Sequence, residues 1–189
     1  MGFSQTSPYG SWKSPITADL VAGGEVGLEQ VRIDGDDIYW IERRAEEGGR
    51  KVIVRRSSGG AVADVTPVGF NARTRVHEYG GGDYAVANET MIFSNFTDQR
   101  LYRQQPGSEP RPLTPDSAHR YADLQFDRIR SLLFCVREDH TDPSEPVNTI
   151  VRIGLDGAGP GDVVVSGNDF YSTPRISPDG SQLAWLTWN

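Results

Sequence analysis

The sequence predicts an all-β fold: a partial β-propeller of about three and a half four-stranded antiparallel blades. A short apolar and aromatic run recurs at residues 38–41, 91–93, 132–136 and 183–186, and successive runs begin 53, 41 and 51 residues apart. Propeller blades repeat about every 40 to 50 residues. Each run is rich in strand-forming residues, so it predicts the second strand of a blade.

The remaining strands and turns follow from the residues around each run. Residues 52–55 and 149–152 predict third strands, and turn-forming residues separate the strands. The clearest turn is Ser-Pro-Asp-Gly at 177–180, where Pro fixes one dihedral and Gly accepts a positive φ. Residues 34–37 predict a similar turn. The predicted organisation is an N-terminal extension and four units, at residues 1–23, 24–70, 71–118, 119–168 and 169–189.

Length limits what this fold can do alone. A closed propeller needs at least about four blades, so the blades predicted in these 189 residues cannot close one ring. Each blade normally buries both sheet faces against neighbours, and an open array leaves apolar faces exposed. The incomplete fourth unit, with Leu183, Trp185 and Leu186, adds an open strand edge. We therefore expect the chain to self-associate.

Composition excludes several classes of partner. The formal net charge is -7, with 19 basic residues dispersed among 26 acidic ones, which argues against nucleic-acid binding. No apolar run approaches the roughly 20 residues of a membrane helix, and residues 1–9 lack the pattern of an export signal. We therefore expect no membrane partner and a cytoplasmic location. The single Cys135 lies in an apolar run and is predicted to pack as a small hydrophobe.

The sequence offers no recognisable catalytic centre. It contains no G-x-S-x-G nucleophile motif, and its three histidines, His77, His119 and His140, lack metal-ligand spacing. We therefore predict no catalytic residue, metal or cofactor in this chain. The glycines at 80–82 are followed by neither Lys-Ser nor Lys-Thr, so they indicate close backbone approach rather than a phosphate site.

The segment Arg-Thr-Arg-Val-His-Glu-Tyr-Gly-Gly-Gly at 73–82 is the strongest candidate binding element. If it forms the innermost strand of a blade, alternation places Arg73, Arg75, His77 and Tyr79 on one face. Turned toward the central channel, this face would attract carboxylates or peptide carbonyls. The alternative is structural, with Arg73 or Arg75 paired to Glu78 or to an acid of a neighbouring blade.

A second polar group of residues follows the apolar run at 132–136. Residues 137–141, Arg-Glu-Asp-His-Thr, are predicted to begin a loop that joins neighbouring parts of the fold. Glu138 and His140 are close enough in sequence to form a hydrogen bond with each other.

Several motifs together carry a resemblance that covers nearly the whole chain. They are YGSWKSPIT at 9–17, RTRVHEYGGG at 73–82, SNF at 94–96, QRLYR at 99–103, RYAD at 120–123, VREDH at 136–140 and GNDFYSTPRISPDG at 167–180. In these motifs the chain resembles the N-terminal propeller region of bacterial prolyl oligopeptidase family serine peptidases. The acylaminoacyl-peptidase and dipeptidyl-aminopeptidase-like branch is the most similar.

The resemblance implies a function for a larger protein. In that family the propeller precedes an α/β-hydrolase domain that carries the Ser, Asp and His triad, and none of those residues can be placed here. The propeller would admit short peptides to that domain and exclude folded proteins, while this chain alone would be inactive. The resemblance assigns substrate orientation to Arg73, Arg75, His77 and Glu78. The alternative is a stand-alone propeller scaffold that binds peptides or proteins.

Overall fold

The chain folds almost entirely into β-strands arranged as part of a propeller. A computed structural model describes residues 6–11, 13–157 and 159–189. In these ranges the strands form three four-stranded sheets and one two-stranded sheet, each paired in chain order and antiparallel. The predicted fold class, a partial propeller with its last blade incomplete, is confirmed.

The sheets follow one another along the chain. The first contains β1 (Val26–Asp34), β2 (Asp37–Arg44), β3 (Arg50–Arg56) and β4 (Val62–Asp64). The second contains β5 (Tyr84–Ala87), β6 (Thr90–Ser94), β7 (Leu101–Gln104) and β8 (Arg111–Pro112). The third contains β9 (His119–Asp127), β10 (Leu132–Asp139), β11 (Val147–Gly154) and β12 (Asp162–Val165). The fourth pairs β13 (Phe170–Ile176) with β14 (Leu183–Trp188).

In the ranges that the structure describes, helical structure is limited to two short elements. The helix α1 covers Ala18–Ala22, and a 3-10 turn covers Ala45–Glu47 between β2 and β3. Thr17 caps α1, because its Oγ1 accepts a hydrogen bond from the Leu20 N–H at 3.0 Å. Among the described residues, no helix is long and apolar enough to cross a membrane.

The core lies between neighbouring sheets, where the apolar second strands meet. One cluster joins the first and second sheets, with Ile41 and Phe93 fully buried, and a second joins the second and third sheets. A third cluster joins the third and fourth sheets and includes Tyr171. Cys135 is fully buried in the second cluster, and burial raises the pKa of its thiol. It packs as a small hydrophobe, as predicted.

The first strands of three sheets share an irregularity at equivalent places. In β1, β9 and β13 two residues oppose one residue of the second strand, which is a β-bulge. Gln30, Asp123 and Thr173 each occupy such a bulge with a positive φ, between 53° and 57°. From these bulges the side chains of Gln30 and Asp123 and the Thr173 N–H form hydrogen bonds with neighbouring parts of the array. They therefore form part of the contact between blades.

The prediction of an inner strand at 73–82 is wrong. The inner strand of the second sheet begins only at Tyr84, and residues 76–79 form a turn in which the Gly80 N–H donates to the Val76 carbonyl at 2.9 Å. His77 and Glu78 have left-handed φ angles of 55° and 63°. These angles break the two-residue alternation of a strand, so Arg73, Arg75, His77 and Tyr79 do not share a strand face.

The predicted loop at 137–141 begins later than expected. The strand β10 continues through Asp139, so the first three residues of that motif are paired in the sheet. Glu138 is 3% exposed there. A buried carboxylate needs hydrogen-bond donors, and one of them is the His77 N–H from the turn at 76–79. Strand pairing and these donors together explain the longer strand.

Candidate functional site

Residues 73–83 lie across one face of the partial ring. The turn at 76–79 reaches the beginning of β9 and the end of β10, and its His77 ring also contacts Phe170 at the beginning of β13. We call this face, formed by residues 73–83 with the adjoining ends of β9, β10, β13 and β14, the segment face. It brings side chains from three sheets together.

The beginning of the segment is held by backbone hydrogen bonds to the second sheet. The Arg73 N–H donates to the Ser94 carbonyl at 2.9 Å, and the Arg75 N–H donates to the Gln99 side chain at 2.7 Å. In both bonds the donor is the backbone N–H of the arginine, and the guanidinium group takes no part. The segment is therefore positioned by its backbone, while its cationic side chains project from it.

Asp83 fixes the other end of the segment. Its carboxylate is 1% exposed and accepts hydrogen bonds from the Thr74 N–H at 2.7 Å and from Gln30 Nε2 at 2.6 Å. It also pairs with Lys51 Nζ at 3.0 Å. Three donors satisfy the buried charge and tie the segment to the first sheet.

The two partners of this ion pair have pKa values that shift for different reasons. Burial raises the pKa of Asp83, although Lys51 and the hydrogen bonds act against that shift. Burial would lower the pKa of Lys51, but the charges of Asp83 and Glu29 outweigh it and the pKa is raised. A raised pKa for Asp83 disfavours its charged form, whereas a raised pKa for Lys51 favours the ion pair. Because three hydrogen-bond donors surround the Asp83 carboxylate, Asp83 and Lys51 form a charged pair.

A close backbone approach explains the glycine at position 82. The Gly82 N–H donates to Asp123 Oδ1 at 2.7 Å, and the Asp123 N–H donates to the Gly82 carbonyl at 2.8 Å. A Cβ on Gly82 would lie 3.0 Å from that oxygen and 3.2 Å from Asp123 Cα. The run at 80–82 thus permits contact between the second and third sheets, as predicted, although not within a strand.

Glu138 anchors the turn from the third sheet. Its Oε1 accepts a hydrogen bond from the His77 N–H at 2.9 Å, and its Oε2 lies 2.7 Å from His140 Nε2. The predicted contact between Glu138 and His140 is therefore present. Arg120 Nη1 lies 3.6 Å from the same Oε2. The buried carboxylate of Glu138 thus holds the turn at His77, where the backbone of the turn enters the left-handed region.

Arg120 completes this network from the beginning of β9. Its Nη1 donates to the Arg75 carbonyl at 3.0 Å and to Glu78 Oε1 at 2.5 Å. This hydrogen bond lowers the pKa of Glu78, which is largely exposed. Glu78 is therefore ionised at neutral pH and is oriented by a cation of the neighbouring sheet.

The ring of His77 lies against aromatic side chains of the fourth sheet. Its centroid is 5.3 Å from that of Phe170 and 6.3 Å from that of Trp188, both in edge-on geometry, and Phe170 and Trp188 stack on each other. Tyr79 is also near, at 5.6 Å. The position of His77 is thus determined by packing and by its backbone bond to Glu138.

Arg73 and Arg75 remain as exposed cations. The Arg73 guanidinium lies 4.7 Å from the centroid of the Phe96 ring, a cation–π contact. In the described part of the chain neither arginine forms an ion pair, and Glu78 pairs with Arg120 instead. The alternative prediction was that Arg73 or Arg75 pairs with Glu78 or with an acid of a neighbouring blade, and the described residues show neither pairing. The acidic residues of this hydrogen-bond network pair with other groups, so the guanidinium groups of Arg73 and Arg75 remain available to a ligand.

A polar cavity of about 320 Å³ opens beside Arg73. Tyr79, which is 77% exposed, stands at this cavity. Charged side chains of both signs contribute to its wall, with three cations and two carboxylates: Glu29, Arg43, Lys51, Arg73 and Asp83. Such a wall suits a small ligand that carries a carboxylate and polar amides.

Sequence reasoning placed Arg73, Arg75, His77 and Glu78 at this site, and the structure brings all four to the segment face. It did not assign Arg120, Lys51 or Asp83 to the site. Arg120 lies in the RYAD motif that carried the family resemblance, so that motif was an available signal. Lys51 lies in an ordinary third strand, and nothing in the local sequence distinguishes it.

The segment face carries charged side chains of both signs. Among the residues that the structure describes, no group of three or more His, Cys, Asp or Glu side chains could hold a metal ion. The segment face instead offers two exposed guanidinium groups on a backbone fixed by buried carboxylates. The fold is a partial propeller, and Arg73 and Arg75 are exposed on its segment face.

Comparison with known proteins gives the family. No protein-family model and no curated protein matches the chain. Among solved structures it is similar to a Mycobacterium tuberculosis puromycin-hydrolyzing peptidase, with a TM-score of 0.83 and 40% identity over 98% of this chain and 31% of that one. A puromycin hydrolase matches with a TM-score of 0.85 and 36% identity, over 98% of this chain and 31% of that one. Its serine-to-alanine mutant complexed with PGG matches equally well, over 97% and 31%.

The chain thus corresponds to the N-terminal propeller region of peptidases of the prolyl oligopeptidase family, which confirms the resemblance in its motifs. It spans about a third of the length of these relatives.

Proposed function

We propose that this propeller region controls the access of short peptides to a hydrolase domain of the same, longer peptidase, here called the parent peptidase. The parent would be an acylaminoacyl- or dipeptidyl-peptidase, and the hydrolase domain would be the partner of the segment face. The observation that carries the proposal is the presence of two exposed arginines on a backbone held by buried ion pairs. The hydrolytic chemistry itself would belong to the hydrolase domain.

The fixed backbone supports a role in orienting substrate. The backbone of Arg75 is held by Gln99 and Arg120, so its side chain projects from a defined position. A binding group on such a backbone loses less conformational freedom when it binds a ligand. Arg73 is held similarly and stacks on Phe96. Both would attract the C-terminal carboxylate or the carbonyls of a peptide.

The dimensions of the site support selection by size. The cavity beside Arg73, at about 320 Å³, has room for a few residues of an extended peptide. The segment beside the cavity contacts the first strand of the third sheet closely, through the hydrogen bond from the Gly82 N–H to Asp123. A folded protein would not enter such a space. Short peptides with a free carboxylate are therefore the substrate class that the site fits best.

The test is the replacement Arg75→Ala in the parent peptidase, with steady-state kinetics on short peptides that end in a free carboxylate or in an amide. Loss of one charge-assisted hydrogen bond, worth about 1.5 kcal/mol or more, would raise KM about tenfold for the free acid. The amidated peptide would change much less. Replacement of Arg111, an exposed arginine of β8, by Ala is the matched control.

Unchanged kinetics of the Arg75→Ala enzyme on both peptides would count against the proposal. An equal loss for the acid and the amide would show that Arg75 supports the fold or the domain interface and does not recognise a carboxylate. The alternative of a stand-alone scaffold predicts that purified full-length protein, whatever its length, is not labelled by a serine-directed fluorophosphonate probe.

A further inference from the structure

A cavity of about 390 Å³ lies between the first and second sheets, at the outer rim of the partial ring. Its walls come from β3, β4 and β7 and from the loop at 105–109 that joins β7 to β8. Both sheets have four strands, so these walls belong to complete blades. The volume lies within the range of roughly 300 to 1,000 Å³ that is typical of small-molecule sites.

The wall formed by the loop at 105–109 is held by its own hydrogen bonds. The Ser108 N–H donates to the Gln105 carbonyl at 3.0 Å, and the Gln105 N–H donates to Ser108 Oγ at 3.1 Å. Small residues of the two sheets leave the space open: Ala63 of β4 and Gly107 of the loop. The cavity is therefore formed before any ligand binds, as is usual for small-molecule sites.

Gln104, the last residue of β7, carries a buried acceptor without a partner at this cavity. The residue is 7% exposed, and its Nε2 donates to the Val65 carbonyl at 2.9 Å and to the Ser108 carbonyl at 3.1 Å. Because both partners are carbonyls, they fix which side of the carboxamide is the nitrogen. Among the described residues nothing donates to Gln104 Oε1. A ligand that supplies an N–H would remove the cost of this unsatisfied acceptor.

The charges at the cavity favour a cation. Two of its charged residues, Arg55 and Asp64, are each neutralised by an ion pair within the first sheet. The other two, Glu89 and Glu109, are exposed and form no ion pair within the part of the chain that the structure describes. Two uncompensated carboxylates therefore remain at the cavity, and they attract a positively charged ligand.

We propose that this cavity binds a small organic amine, held by its ammonium group and by an apolar body. An ammonium group has only donors, which match the two carboxylates and the acceptor of Gln104. The apolar body would pack against Val65, Pro67 and Pro106 of the walls. An anion would meet net negative charge here. In the described ranges no group of three or more His, Cys, Asp or Glu side chains could hold a metal ion.

This inference does not depend on the proposed function, because no residue of the cavity belongs to the segment face. Arg75→Ala alters the segment face and leaves the cavity as it is, so the two proposals can fail separately. Both carboxylates are exposed, so screening should weaken binding of the amine as the salt concentration is raised.

The test is calorimetric titration of the parent peptidase with phenethylamine at low salt, where a Kd of about 1 mM is expected. The neutral analogue 2-phenylethanol and the small cation methylamine should each bind about tenfold more weakly. Glu89→Gln and Glu109→Gln should each weaken phenethylamine binding about threefold, and both together about tenfold. Glu145→Gln, at an exposed residue between β10 and β11, is the matched control and should change nothing. Binding of the amine elsewhere in the parent would be equal in all these proteins.

Several results would overturn the proposal. Absence of phenethylamine binding up to about 10 mM would do so, and so would equal binding of either analogue, which would show that charge and apolar body are not recognised together. Unchanged affinity in the double variant would place the amine elsewhere, and an equal loss for Glu145→Gln would indicate a general effect of charge. Ala63→Phe fills the cavity without a change of charge and should also abolish binding; retained binding would contradict the proposal. Circular dichroism checks that each variant is folded.

Discussion

The two faces of the partial ring differ in how far along the chain most of the cited carboxylates find their partners. On the face that carries the hairpin turns between first and second strands, Asp34 accepts the Asn88 N–H of the next hairpin at 3.1 Å, while two other carboxylates bond to their own turns. Asp179 accepts the Ser177 hydroxyl and the Ser181 N–H, and Asp127 accepts the Ile129 N–H at 2.9 Å. On the segment face the partners are distant in sequence, as with Glu138 and His77, which lie 61 residues apart.

The difference separates two roles for a charge. A carboxylate that satisfies its own turn shapes a hairpin and leaves little capacity for a ligand. A buried carboxylate that bonds a distant backbone fixes a non-repetitive segment in place. On the segment face Asp83 and Glu138 do this, so Arg73 and Arg75 need not form internal ion pairs. The face that could bind a ligand is therefore the one held by long-range contacts.

The largest expected effect on stability is that of Asp83→Ala. Removing the carboxylate leaves the Thr74 N–H and Gln30 Nε2 without their acceptor and breaks a buried ion pair with Lys51. We expect the free energy of unfolding to fall by about 3 kcal/mol, measured by urea denaturation. Asp179→Ala, the matched change on the hairpin face, should cost far less. Equal losses would mean that the two faces do not differ in this way.

Glu138→Ala should give the next largest effect. The substitution leaves the His77 N–H without an acceptor inside the structure and removes a partner of His140 and Arg120. A loss of about 2 kcal/mol in unfolding free energy is expected, with faster amide exchange at residues 76–79. Asp142→Ala, which alters an exposed carboxylate bonded to Ser144, serves as the control. Unchanged exchange in the turn would show that Glu138 does not hold it.

A smaller effect should appear as a pH dependence on the hairpin face. Hydrogen bonds from Ser177 and Ser181 lower the pKa of Asp179 to about 2. The unfolded value is about 3.9, so ionised Asp179 stabilises the fold above about pH 4 and loses this effect as the pH falls through 2. The melting temperature of Asp179→Asn should therefore depend less on pH in this window. An identical pH profile for both proteins would contradict the assignment.

The smallest expected effect is that of Arg73→Ala and Arg75→Ala on stability. Neither guanidinium forms an ion pair among the described residues, so each change should alter the free energy of unfolding by no more than about 0.5 kcal/mol. Arg120→Ala, which removes bonds to Glu78 and to the Arg75 carbonyl, should cost clearly more. A large loss of stability for Arg75→Ala would indicate a structural role in place of a binding role.

The same comparison explains what the sequence could predict. The second strands and the turn at 177–180 depend on residues adjacent in sequence, and the structure has them where the patterns indicated. The turn at 76–79 depends on Glu138, which is 61 residues from its partner His77. It also depends on Arg120, which is 42 residues from its partner Glu78. Those contacts stabilise positive φ angles at two consecutive residues, His77 and Glu78, and such angles are uncommon for residues other than glycine. The family motifs marked the segment, but its shape is a tertiary effect.

The most direct measurement is hydrolysis of acyl-amino-acid and dipeptidyl chromogenic substrates by the 189-residue chain beside the parent peptidase, with a fluorophosphonate probe in both. We predict turnover and labelling in the parent alone, because the segment face offers binding groups and the nucleophile would belong to the hydrolase domain. Turnover or labelling of the 189-residue chain itself would contradict this division of roles.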